Sequence, residues 1–184
     1  MSEYRRANFE GGYYFFTVVT FRRTKFLTDT LSRDCLRFAL DKVREKRPFD
    51  NIAMCLLPDH LHCLWKLPDD DCDFSTRWNS VKSLFTKAYL KSGGHEGQRN
   101  VSRIRTGEAA VWQRRFWEHQ IKDENDLQHH IDYIHYNPVK HGLVKKMEDW
   151  PSSTYHKFVQ SGFYGEMNID DMKRICESII CAGE

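Results

Sequence analysis

The chain has 184 residues, with 28 Lys/Arg against 26 Asp/Glu and a net charge of +2. That near-balance excludes a histone-like polycation, and 40% hydrophobic with 14% aromatic residues excludes a chain disordered throughout. The charge is unevenly spread: 26 basic and 21 acidic residues fall in 1–165, so a local surface for a polyanion stays open.

The length suits one packed domain over 1–165, followed by a tail, 166–184, that can form a last helix. No apolar run approaches the ~18 residues that cross a bilayer, and the start lacks a leader's apolar stretch, so a cytoplasmic, non-membrane protein is expected. The six cysteines form no Cys-x-x-Cys pair and read as reduced, mostly buried thiols.

Tyr13–Thr20 is aromatic and β-branched, opened by Gly11-Gly12, and predicts a strand. Leu36, Leu40 and Val43 recur at helical spacing over about 31–47, and Pro48 stops that helix. Ile52–Leu57 and Leu61–Leu67, joined by the Pro58-Asp59 turn, predict a hairpin. Ser75–Leu90 carries Trp78, Val81, Phe85 and Tyr89 at helical spacing, with Ser75 or Asp73 as cap. Residues 94–108 are polar and glycine-bearing and predict a loop; 111–121 predict a strand. Asp123 caps a helix running to about Tyr136, which Asn137-Pro138 ends. The order is an α+β, ferredoxin-like βαββαβ antiparallel sheet with helices on one face plus an added helix near the C-terminus.

Two features can carry chemistry. In Pro58-Asp59-His60-Leu61-His62 the alternation of a strand points His60 and His62 to one face, where both imidazoles can bind one divalent cation. Two unrelated strand histidines would give the same pattern. On the helix that Asp123 caps, Tyr133 lies about 120° from Leu127, off the stripe of Leu127, Ile131 and Ile134, and Asn137 follows one turn later. Both can meet one substrate; a surface tyrosine with a helix-ending asparagine is the plainer reading. Tyr136 is a chemically equivalent competitor to Tyr133, while His119, His129, His130 and His135 read as helix or loop surface groups, with His130 alone a candidate substrate contact. Together a metal pair and a phenol suggest phosphoryl transfer. Basic residues beside aromatics, namely Arg5, Arg6, Arg22, Arg23, Arg114, Arg115, Lys140 and His141, are candidates for contacts to DNA phosphates.

Pro58-Asp59-His60-Leu61-His62 resembles the HUH motif, two histidines flanking a bulky apolar residue. The run Tyr133-Ile134-His135-Tyr136-Asn137-Pro138-Val139-Lys140-His141-Gly142 resembles the tyrosine helix of the single-tyrosine HUH transposases, nearest to their REP-associated branch. Trp112-Gln113-Arg114-Arg115-Phe116-Trp117 and Trp150-Pro151-Ser152-Ser153-Thr154 support that resemblance, which runs from about Ser2 to Tyr155. It implies a metal-dependent (Mg²⁺ or Mn²⁺) endonuclease and strand transferase. The implied substrate is single-stranded DNA with repetitive extragenic palindrome (REP) hairpins, cut through a 5′-phosphotyrosine. By position, His60 and His62 are implied metal ligands, Tyr133 the nucleophile, and Asn137 the third ligand where mobile-element relatives carry Gln. The active unit is a monomer or homodimer. Two alternatives stay open: a non-catalytic, sequence-specific DNA-hairpin binding protein, and an RNA binder using Tyr13–Phe16 as a stacking platform.

Overall fold

The computed structural model describes residues 10–164. Arg5, Arg6 and the 166–184 tail, with its expected last helix, lie outside the described residues. Strands β1 (Tyr13–Val19), β2 (Asp50–Leu56), β3 (His60–Lys66) and β4 (Trp117–Gln120) form one sheet in the order β2-β3-β1-β4. All three strand pairs are antiparallel. With α1 (Thr30–Lys46) between β1 and β2, and α2 (Phe74–Lys91) between β3 and β4, this is the expected ferredoxin-like plan.

Strand alternation divides the sheet into two faces. Tyr14, Phe16 and Val18 of β1 with Leu61, Cys63 and Trp65 of β3 pack under α1 and α2, where Trp65 and Trp78 stack at 4.3 Å. Phe15 of β1, Leu64 of β3, and Ala53 and Cys55 of β2 face the other way and pack under α4 (Glu124–Lys140). The added helix therefore covers the face that α1 and α2 leave open. Alternation puts His60 and His62 on this α4 side, and strand register places Thr17 beside His62.

Four expectations need correction. The 94–108 loop contains a short helix, α3 (Val101–Thr106). Asn100 caps it by accepting from the Arg103 amide, Gly107 at φ +68° ends it, and buried Arg103 bonds the Ala109 and Trp112 carbonyls. The strand expected over 111–121 is only Trp117–Gln120, with a lone bridge between Thr20 and Trp112 before it. The helix α4 runs through Pro138 instead of ending at Asn137. A helical proline costs roughly 3 kcal/mol in an isolated helix, but α4 is buried from His130 to Pro138, and Gly142 closes its end. His130 and His135 are buried, whereas the sequence placed them on the helix surface.

Beyond α4, residues 150–154 cover the free edge of β2. Leu56 N–H donates to Ser152 O, Thr154 N–H to Met54 O, and Trp150 Nε1 to Leu56 O. The segment that follows ends in α5 (Tyr155–Gln160). No helix among the described residues is long and apolar enough to cross a membrane.

Candidate active site

A cavity of about 230 Å³ opens between the sheet and α4, lined by Thr17, Arg23, His60, His62, Trp117, Tyr133, Lys140 and His141. The two histidine rings lie 4.9 Å apart, and the His62 ring is 5.3 Å from that of Tyr133. The strand pair and the distant helix thus meet at one place. Tyr136 packs in the apolar layer under α4 and does not line this cavity.

Each histidine is held through its Nδ1. His60 Nδ1 is 2.6 Å from Asp59 Oδ1, and His62 Nδ1 is 2.9 Å from Thr17 Oγ1. Such partners fix ring orientation and leave Nε2 of each ring as the atom that could meet a cation. Arg23 Nη1 donates to the other Asp59 oxygen at 3.1 Å. Burial alone would raise the Asp59 pKa, but His60 and Arg23 outweigh it and hold the carboxylate below its usual range. Burial pushes the His62 pKa well down, reinforced by the charges of His60, Lys140 and His141 and partly opposed by the Asn137 side chain. A neutral imidazole is the form that ligates a metal.

Asn137 is fully buried on the same helix face, one turn after Tyr133. Its Nδ2 donates to Tyr133 O at 3.3 Å, while Oδ1 is buried beside His62 without a well-aligned donor. A buried carbonyl oxygen left in that state is costly unless something else coordinates it. Two imidazole nitrogens and this oxygen are a donor set that fits a divalent cation with positions left for phosphate oxygens. His119, Asp126 and His130 form a second group whose ligand atoms lie within 4.8 Å of one another. There His119 Nε2 (2.8 Å) and His130 Nδ1 (2.9 Å) both point at the Asp126 carboxylate, and His130 Nδ1 also meets Asp126 O. Those bonds tie β4 to the first turns of α4.

Of the basic residues expected to meet DNA, Arg23, Lys140 and His141 line the cavity. Arg22, Arg114 and Arg115 are exposed elsewhere: Arg22 lies over the Phe21 ring and Arg114 pairs with Glu108 at 2.6 Å. Sequence reasoning missed Asp59, treated only as a turn residue, and Thr17, which strand register brings in.

Residues 8–137 match the family model described as transposase IS200 like. The chain belongs to the IS200-like transposase family. It is 46% identical over 165 residues to a REP-associated tyrosine transposase of Escherichia coli (strain K12), an alignment covering 89% of this chain and 88% of that protein. A solved structure described as a REP-associated tyrosine transposase bound to a REP hairpin superposes with a TM-score of 0.74 at 45% identity. That match covers 90% of this chain and 89% of the other. This IS200-like transposase therefore shares its sheet and helices with a relative whose structure includes the hairpin.

Proposed function

We propose that this transposase is a divalent-metal-dependent endonuclease and strand transferase acting on single-stranded DNA at REP-type hairpins through a 5′-phosphotyrosine. One observation carries the reading: Tyr133 and the pair His60/His62 line a single cavity, with Asn137 beside His62. Similarity to relatives named as REP-associated tyrosine transposases supports the choice of substrate.

His60, His62 and Asn137 would hold the cation, which when bound neutralises phosphodiester charge and stabilises the departing oxygen. Asp59 and Thr17 keep the two imidazoles oriented. Arg23 and His141 line the same cavity and are suited to meet the phosphate oxygens. The Tyr133 oxygen attacks phosphorus, a Tyr133 O–P bond forms, and the bond from phosphorus to the 3′ oxygen breaks. The phenol proton ends on that 3′ oxygen, giving a 3′-hydroxyl and a 5′-phosphotyrosine. The reverse attack by a 3′-hydroxyl rejoins strands. One chain supplies all these groups, which supports a monomer as the active unit. Mg²⁺ and Mn²⁺ both suit the mixed nitrogen and oxygen donors.

The test is incubation of a REP-type hairpin with the protein and Mg²⁺ or Mn²⁺. The expected result is a covalent protein–DNA adduct that chelation and Tyr133→Phe both remove. Tight hairpin binding with no cleavage product across several divalent metals would overturn the reading in favour of a non-catalytic hairpin-binding protein.

A further inference from the structure

The continuation of α4 through Pro138 has a chemical consequence. Lys140 stands seven residues after Tyr133, close to two full turns, on the same face of one unbroken helix. Gly142 at φ +66° closes the helix: its N–H donates to Val139 O, and Leu143 N–H to Pro138 O. With that geometry the Lys140 Nζ donates to the Tyr133 hydroxyl at 2.9 Å and sits 4.6 Å from the ring centroid. A helix ending at Asn137 would not hold Lys140 there.

We propose that Lys140 is a catalytic residue that stabilises negative charge on the Tyr133 oxygen, both as that oxygen attacks phosphorus and as it departs when strands rejoin. This rests on the reading of Tyr133 as nucleophile. A lysine ammonium donates and cannot accept, so its hydrogen bond strengthens as the phenol oxygen gains charge. Among the described residues, Lys140 pairs with no carboxylate that would compete for that donor. The proton balance is unchanged: the phenol proton still appears on the 3′ oxygen in cleavage and returns in rejoining. A surface lysine that merely neutralises a DNA phosphate would have no reason to be directed at the phenol. The cavity already holds Arg23 and His141 for the phosphate.

The experiment compares single-turnover adduct formation, rejoining from the adduct, and hairpin affinity across a salt series, for the full chain and for Lys140→Ala, Lys140→Arg and Tyr133→Phe. Removing one donor to a charged reacting oxygen typically slows chemistry by about 10²-fold or more. Lys140→Ala is therefore expected to slow both cleavage and rejoining. Lys140→Arg, which keeps a cationic donor, is expected to recover part of the rate. The salt slope of hairpin affinity is expected to stay as in the parent. A slope reduced by about 0.7, the signature of one lost phosphate contact on a single strand, with a rate loss explained by weaker binding, overturns the proposal. An undiminished rate in Lys140→Ala does so too. An adduct that survives in Tyr133→Phe sinks the nucleophile assignment itself, a result separable from either.

Discussion

Asp59 anchors more than the turn it occupies. Its two carboxylate oxygens are divided between His60 Nδ1 at 2.6 Å and Arg23 Nη1 at 3.1 Å, so one residue orients an imidazole and a guanidinium that line the same cavity. Asp59→Asn keeps the shape and loses the charge; we expect Mn²⁺ affinity, followed by calorimetric titration, to fall about 10- to 100-fold. Unchanged affinity would place the metal elsewhere. A second residue-scale consequence concerns acid. Burial drives the His135 pKa down to about 3, with the His156 charge adding to the effect, and its ring nitrogens bond Tyr164 Oη and Thr154 Oγ1. The unfolded chain takes up a proton near the ordinary histidine value of about 6.5 and the native state does not. Stability therefore falls as pH drops from about 6.5 towards 3, by roughly 2 kcal/mol at pH 5 for this group alone. Urea unfolding at pH 8 and pH 5 checks it. His135→Asn is expected to lose less stability between the two pH values than the parent, and an equal loss would contradict the assignment. The candidate site residues were visible from spacing, because His-x-His and Tyr-x-x-x-Asn each sit on one regular element. Asp59 was not, since its partner Arg23 comes from 36 residues away in the chain.

Helix α4 is the element on which the site depends. Gly142 adopts a left-handed conformation that side-chain-bearing residues enter at a cost of about 1–2 kcal/mol, and a Cβ there would meet no neighbour. Gly142→Ala should therefore destabilise the protein by about that amount through backbone strain alone, read as a shift in the denaturation midpoint with an unchanged slope. The 150–154 strap is the second element to test. Thr154 Oγ1 accepts from Met54 N–H at 2.9 Å and faces His135, and Thr154→Val would leave both without that oxygen. A loss of about 1–3 kcal/mol is expected from thermal or urea unfolding. Helix α4 was legible as a helix but not in its extent, because local rules place a stop at Asn137-Pro138. Burial on the sheet and the Gly142 closure override that preference. The short helix α3 was hidden for the converse reason: its sequence is polar, and it is held by Asn100, Gly107 and the buried Arg103 rather than by an apolar stripe.

At the scale of the whole molecule, the two faces of one sheet have separate work. The face under α1 and α2 is an aromatic core, and the face under α4 carries the histidines, so His60, His62 and Tyr133 are brought together by packing. The element order was readable from hydrophobic period, and the ferredoxin-like plan followed from it. The position of α4 across the second face was not, because its apolar residues do not say which face of the sheet they will meet. The central claim is that the histidine pair acts with Tyr133 and not with its neighbour Tyr136. Mass-spectrometric mapping of the trypsin-generated DNA-linked peptide, after reaction of a REP-type hairpin with Mn²⁺, tests it directly. We predict the nucleotide on Tyr133; attachment to Tyr136 or to a residue outside α4 would contradict the account.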